Sequence, residues 1–404
     1  MKDLNVLKKL LVLCSTFVLS SLYADELSDI LSDNKNILFE YDFRNNTAQS
    51  DMLEKSWLNP ITLQYSKSFS KQFTDQTVST GSFSIGIDQP IFKSGGIYYA
   101  IKYAQALRHQ NDASIRLQKR EMIVSAIQAL FEIKKVKLQQ KKQYLLIAND
   151  KIDIEQKEES YEAGLIDSSF LDQAILQHSL DKTQALEIQM QLSSLRHTFS
   201  LLSDKNPEQV KTPSLKLISA QRYKGSNLEL VRDKLAVEEK RYNAKMIWAQ
   251  YLPSVSVQGK YTDADINPLF NRSGLEEKYW TYGFTVSMPL NVNMLSDIEA
   301  AKVAHLKAQT EVIERQETID AEYKLAQQRI KMIDEKIKLS KEDEKLYKRL
   351  YKVTYNLEQA GEKTASETKT MANSLEIRKL DQKIYKIDRQ IELLGLYAKV
   401  ASVN

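Results

Sequence analysis

The segment Tyr161-Glu-Ala-Gly-Leu-Ile-Asp-Ser-Ser-Phe-Leu-Asp172 is the single break in a run of helix-forming residues that extends from Ile97 to Asp204. No proline occurs between those limits, and Gly164 is the only glycine. Inside a helix proline costs about 3 kcal/mol and glycine about 1 kcal/mol, so a hundred residues almost free of both are expected to be helical. Gly164 can take the left-handed conformation that ends a helix, and Ser169 with Asp172 reads as an S-x-x-D start for the next one. At about 1.5 Å per residue the first arm, 97–163, would run roughly 100 Å, far more than a globular core requires. The expected unit is a long helical hairpin.

The design recurs. From Leu290 to the C-terminus there is no proline and only Gly361 and Gly395. Gly361 lies in Leu357-Glu-Gln-Ala-Gly-Glu-Lys-Thr-Ala-Ser-Glu367, where Thr364 and Glu367 form a capping-box pattern. Pro60 pairs with Pro253 at an offset of 193, Pro90 with Pro289 at 199, and Gly164 with Gly361 at 197. Landmarks at so constant a spacing indicate an internal duplication.

The 404 residues are 27% charged and 42% hydrophobic, and a mean hydropathy of −0.43 argues against a multi-helix membrane protein. Lys2, Lys8 and Lys9 precede an apolar run, Leu10 to Leu22, and small Ala24. This reads as a secretory signal peptide over 1–24. Its loss, which removes three lysines and Asp3, takes the net charge from +4 to +2, with nothing that calls for nucleic acid. The lone cysteine, Cys14, falls in the signal, so the exported chain would carry no thiol chemistry.

Residues 25–55 read as a leader with a short helix and a polar tract, Arg44 to Ser50. The first repeat then spans 56–206. Its strand pair is expected at 59–70 and 80–90, where Ile61, Leu63, Tyr65 and Phe69, then Phe83, Ile85 and Ile87, alternate with polar residues. Its helical hairpin is expected at 97–204. After a junction at 207–225, the second repeat spans 226–404. It comprises a short helix at 226–250 with Ser226 and Glu229 as capping box, strands at 253–263 and 279–289, and a hairpin at 294–400. Val255, Val257 and Tyr261, then Tyr282, Phe284, Val286 and Met288, carry the apolar alternation of the second pair.

Strands of nine to eleven residues with one apolar face suit a tilted crossing of a bilayer. Ile61, Leu63, Ile85, Val255, Val257, Phe284 and Val286 are the lipid-facing candidates. Trp57, Tyr65, Tyr261, Tyr279, Trp280 and Tyr282 are candidates for the headgroup level. Thr62, Gln64, Ser256 and Gln258 give the opposite face a neutral lining. Four strands cannot close a barrel, and open edges are not tolerated in lipid, so crossing strands require oligomerisation. In the second hairpin Ile319, Tyr323, Ala326, Ile330, Ile333 and Ile337 recur at alternating spacings of four and three, which is a coiled-coil seam.

The residues Tyr251-Leu-Pro-Ser-Val-Ser-Val257 and Tyr282-Gly-Phe-Thr-Val-Ser-Met-Pro-Leu290, with Tyr161-Glu-Ala-Gly164 and Ser169-Phe-Leu-Asp-Gln-Ala174, resemble the TolC-like outer-membrane factor family. The resemblance covers the chain from about Trp57 onward. It implies a mainly α protein with membrane β strands. Three copies would form a twelve-stranded β-barrel in the outer membrane, continuous with a periplasmic coiled-coil barrel. It implies a passive exit duct of an efflux or type I secretion system, docking onto a periplasmic adaptor protein that serves an inner-membrane transporter. Carried over by motif, the docking tips fall at Ala163, Gly164, Leu165, Ser168 and Leu171, and at Ala360, Gly361 and Thr364. Glu358, Glu362 and Glu367 are candidates for an acidic constriction at the periplasmic end. The second tip departs from the family pattern, because polar residues follow Gly361.

An enzyme is not expected. His109, His178, His197 and His305 are scattered without ligand spacing, and no phosphate-binding GxxxxGK[ST] occurs, so no cofactor or metal is implied. The alternative to a duct is a periplasmic coiled-coil adaptor or scaffold without its own pore. An adaptor, however, needs only one hairpin.

Overall fold

The computed structural model describes residues 30–71, 77–265 and 276–400. The expected signal peptide lies outside them, as do Pro268 and Gly274 in the second strand-pair loop. In chain order the elements are α1 (Asp33–Glu54), β1 (Thr62–Ser70), β2 (Val78–Phe92), α2 (Gly96–Glu162), α3 (Ser168–Ser200) and α4 (Ala220–Gly225). They continue with α5 (Leu228–Ala249), β3 (Ser254–Ala264), β4 (Lys278–Ser287), α6 (Met294–Gln359) and α7 (Ala365–Ala398).

The duplication is metrical. Helices α2 and α3 contain 67 and 33 residues, α6 and α7 contain 66 and 34, and a shift of 197 superposes their boundaries to within one residue. Both hairpins turn through the same Schellman motif. Leu165 N–H donates to the Ser160 carbonyl and Gly164 N–H to that of Tyr161; Glu362 and Gly361 repeat this onto Leu357 and Glu358, all four bonds at 2.9 Å. Gly164 has φ 67° and Gly361 φ 77°, where a Cβ would meet nothing within 4 Å. The demand for glycine is therefore backbone strain alone. Gly164→Ala and Gly361→Ala are each expected to cost about 1–2 kcal/mol in denaturant unfolding, with Asn at either position recovering part of the loss.

Local capping follows the sequence in one hairpin and not in the other. Thr364 and Glu367 form the complete capping box at the start of α7. At the start of α3 the cap is Asp167, whose carboxylate accepts the Ser169 N–H, rather than Ser169 itself. Ser226 does not open α5; its hydroxyl donates to the Arg222 carbonyl and closes α4.

The chain divides into two compact units, one of residues 30–40, 116–228 and 316–400 and the other of residues 41–115 and 229–315 within the described range. In the first unit the helices lie side by side in the order α3, α2, α7, α6. Gln143 of α2 donates to Asp181 of α3, Asn373 of α7 to Asn149 of α2, and Arg389 of α7 to Asp334 of α6. Helix α3 buries one heptad stripe, in which Leu171, Ala174, His178, Asp181, Ala185, Ile188, Leu192, Leu195 and Phe199 are the shielded positions. On α6, Ile319, Tyr323, Ala326 and Ile330 are buried and Ile333 and Ile337 half-buried, as the three-four spacing requires. Tyr323 stacks on Tyr223 at 5.4 Å and donates its hydroxyl proton to the Ile218 carbonyl at 2.6 Å.

In the second unit the order is α1, α2, α5, α6. The polar tract Arg44 to Ser50 is helical, and its side chains bond sideways to α2. Asn46 Nδ2 donates to the Arg108 carbonyl and to Asp112, and Ser50 Oγ to the Ala104 carbonyl. Gly96 admits Ala249 of α5, and Arg315 of α6 reaches Asp233 and Glu229 of α5.

The strands form one antiparallel sheet in the order β1-β2-β3-β4, leaving β1 and β4 as edges. Strand β2 continues through Pro90 to Phe92, two residues past the stop expected at that proline. The register shifts between Pro90 and Phe92, and a bulge is where a strand tolerates a residue without an N–H.

Candidate functional site

The register sorts the sheet into two faces. Leu63, Ile85, Tyr261 and Trp280 stand in one cross-strand row, Ile87, Gly259 and Tyr282 in the next, then Gln89, Val257 and Phe284, then Phe92, Val255 and Val286. In the other direction Tyr65, Phe83, Asp263 and Lys278 form the row at which charge appears. The strand positions among the lipid-facing candidates, Leu63, Ile85, Val255, Val257, Phe284 and Val286, are thus on one face, with Ile61 just ahead of β1 in the same alternation. From Val255 to Asp263 the rows cover about 27 Å along the strand, or roughly 21 Å at a 40° tilt, close to the ~25 Å apolar band of membrane barrels.

Nothing among the described residues covers this face. Leu63 and Tyr65 are each 70% exposed, Phe284 75% and Tyr282 87%. Gly259 opens a groove of about 430 Å³ lined by Ile61, Ile85, Ile87, Tyr261 and Trp280. Tyr261 and Trp280 pack at 4.9 Å between ring centres. Tyr279, paired with Thr262, stands on the polar face, whereas Tyr65, Tyr261, Trp280 and Tyr282 share the apolar one.

The polar face carries Thr62, Gln64, Ser256 and Gln258, but it is not neutral. Asp88 pairs with Gln258, whose Nε2 donates to Asp88 Oδ2 at 3.3 Å, and Lys260 stands in the adjacent row opposite Gly86. Both charges obey the period-two alternation of the polar face, so the expected neutral lining holds only for the four positions Thr62, Gln64, Ser256 and Gln258.

The hairpin turns are the second candidate. In the first, Ala163, Gly164 and Ser168 are exposed, Leu165 is 77% and Phe170 52% exposed, and Leu171 is half-buried as the first position of the α3 stripe. The apolar tip residues therefore divide: Leu171 packs the hairpin, while Leu165 and Phe170 do not. In the second turn Ala360, Gly361 and Thr364 are exposed. Of the three glutamates, Glu367 is occupied by its own helix start. It accepts from Lys363 Nζ and from the Thr364 N–H, and these contacts, in that order, hold its carboxyl below the usual range. Glu362 is exposed and Glu358 half-buried. Among the described residues no helix is long and apolar enough to cross a membrane.

No protein-family model matches the sequence, and no curated protein sequence matches it. Solved structures do match. The outer membrane protein VceC of Vibrio cholerae is similar over 91% of this chain and 93% of its own, with a TM-score of 0.69 and 14% identity. The CmeC outer membrane channel of Campylobacter jejuni is similar over 94% and 86%, with a TM-score of 0.71 and 14% identity. The open state of the MtrE outer membrane channel of Neisseria gonorrhoeae is similar over 94% and 90%, with a TM-score of 0.66 and 11% identity.

Proposed function

We propose that this chain, which has the fold of those outer membrane channels, is a subunit of the TolC-like outer-membrane factors and forms an exit duct across the outer membrane. Three copies would close their sheets into a twelve-stranded barrel, with the helices in the periplasm. The observation that carries this reading is the open sheet. Its apolar face is exposed and bilayer-sized, and among the described residues its edges β1 and β4 each pair on one side only. In lipid such edges must be satisfied by another chain.

The helical edges support the same arrangement. Leu325, Met332, Leu339, Leu346 and Val353 recur every seven residues on the side of α6 away from its buried stripe, and each is at least 43% exposed. Leu176, Leu180, Leu186 and Met190 are exposed on the far side of α3. Because α3 and α6 are the outermost helices of their unit, the α6 edge of one copy can pack on the α3 edge of the next. A head-to-tail contact of this kind closes a ring. The adaptor or scaffold alternative has no use for a bare apolar sheet.

In this reading the tips at Gly164 and Gly361 contact a periplasmic adaptor that belongs to an inner-membrane transporter. Leu165 and Phe170 are the apolar contact points of the first tip. Glu358 and Glu362, threefold repeated, are the candidates for an acidic constriction, since Glu367 is committed to capping. The duct itself performs no chemistry.

The test is the mass of the native particle, with detergent subtracted, after extraction from purified outer membranes, followed by conductance in planar bilayers. Three chains per particle and discrete conductance steps are expected. A soluble monomer or dimer overturns the reading.

A further inference from the structure

The buried stripe of α3 is apolar except at two adjacent positions, His178 and Asp181. Both face Asp150 on α2, fourteen residues before Gly164. His178 Nδ1 and Asp150 Oδ2 stand 3.9 Å apart with side chains 18% and 16% exposed, and neither atom has a hydrogen-bond partner. The Asp150 and Asp181 carboxyls are within hydrogen-bonding reach of each other. Gln143 Nε2 donates to the Asp181 carbonyl at 3.0 Å and to its Oδ1 at 2.9 Å, and Gln177 Nε2 to its Oδ2 at 3.3 Å. Two carboxyl groups thus meet in a seam with no fixed cation between them.

The surroundings supply none. On α2 the adjacent Lys151 is 74% exposed and pairs with Glu155 at 4.0 Å, and Asp153 is held by Lys157 at 2.9 Å; on α3 Lys182, beside Asp181, is exposed. On α7, the other helix packed against α2 here, Asn373 binds the neighbouring Asn149, while Glu376 and Lys379 pair with each other at 3.1 Å.

The duplication provides an internal control. A shift of 197 carries Asp150 to Tyr347, Asp181 to Arg378, His178 to Leu375 and Gln143 to Ser340. The contacts carry over as well: Ser340 Oγ donates to the Arg378 carbonyl at 3.4 Å, as Gln143 does to that of Asp181, and the Arg378 guanidinium lies 5.0 Å from the Tyr347 ring centre. One hairpin has a cation on an aromatic ring where the other has two carboxyls. Only the second of these arrangements needs a proton.

We propose that Asp150, Asp181 and His178 form one proton-binding site that controls how tightly the tip-proximal part of α3 packs on α2, making the first hairpin pH-sensitive and leaving the second insensitive. With a proton bound, the carboxyls share it in a hydrogen bond across the seam. When it is released to solvent, two carboxylates face each other in a partly dry site, and only a protonated His178 offers a counter-charge.

The protonation energetics agree in sign. Burial, then the hydrogen bond and charge of Asp181, then Asp153, push the Asp150 carboxyl up to about 7. A carboxyl raised in the folded state binds more protons there than in the unfolded chain. Stability from this site is therefore complete below the ordinary carboxylate range, falls as pH rises toward about 7, and is level above it.

Hydrogen exchange of the intact chain in detergent, corrected for the intrinsic pH dependence of exchange, tests this. Between about pH 5 and pH 8, protection over 143–181 is expected to fall about tenfold or more, while 340–378 stays level. Asp150→Asn should abolish the dependence. Should that variant misfold, Asp150→Tyr combined with Asp181→Arg, which installs the second hairpin's pair, is the substitute. An infrared band of a protonated carboxyl near neutral pH, absent in the Asp150 variant, is the independent readout. Level protection over 143–181 in the wild type, or an unchanged dependence in the variants, overturns the proposal. The measurement requires only the hairpin, so its outcome is separate from that of the conductance test.

Discussion

Phe284→Arg and Val286→Arg are each expected to weaken assembly in the membrane by about 2–4 kcal/mol, and together to abolish it. Both side chains stand on the uncovered face of edge strand β4, 75% and 62% exposed, with Val257 and Val255 as their cross-strand neighbours. A guanidinium there has no partner and would have to leave water for hydrocarbon. Thr285, between them, lies on the other face opposite Ser256. Thr285→Arg is the control and should assemble. The readout is the fraction of chain recovered as oligomer from outer membranes. Equal recovery of all three variants would falsify the assignment of the faces.

A double substitution on the exposed stripe of α6, Met332→Glu with Leu339→Glu, should separate the copies without unfolding them. Each side chain is 60% exposed in the single chain, so helix α6 loses little by the change. If the two are covered by α3 of a neighbouring copy, their burial contributes about 3–6 kcal/mol per interface. Repetition around a ring multiplies that loss. Circular dichroism is expected to show unchanged helix content while light scattering shows a single chain per particle. A trimer that survives the double substitution would mean that α6 does not face its neighbour. Ile319→Glu makes the contrast, since at 1% exposure on the opposite side of α6 it should damage the fold itself.

The long helices and their turns were legible because the signals are local. A proline-free run announces a helix whatever packs against it. A glycine at a Schellman position announces its end, and φ values of 67° and 77° give the reason. The coiled-coil stripe of α6 was legible for the same reason, since a three-four spacing follows from helix geometry alone. Misreadings came where a side chain had a nonlocal partner or a choice of local ones. The polar tract Arg44 to Ser50 carried no local sign of its helix, which is held by the bonds of Asn46 and Ser50 to α2. Ser226 matched a capping box but turned back onto Arg222. Pro90 looked like a strand end, yet a bulge carries β2 past it.

The candidate site was legible only as faces. Period-two alternation puts Leu63, Ile85, Val257 and Phe284 in a common apolar set and Asp88 and Lys260 in the polar one, yet the lining expected from Thr62, Gln64, Ser256 and Gln258 was neutral, and the cross-strand register shows the two charges among them. Glu367 illustrates a further limit. Its capping role and its candidacy for a constriction rest on the same residue, and only the geometry shows the carboxylate engaged at the Thr364 N–H.

The sequence by itself determined the duplicated order of strand pair and helical hairpin, the turns at Gly164 and Gly361, and which residues alternate to an apolar face. These depend on backbone preference and on periodicities of about 3.6 and 2 residues, which each segment carries alone. Only the tertiary structure decided the strand order and register, the side-by-side order of the helices, and the meeting of Asp150 with Asp181 where the repeat has Tyr347 with Arg378. Those depend on partners brought together from distant parts of the chain, and no local pattern specifies which partner a buried or exposed stripe will meet.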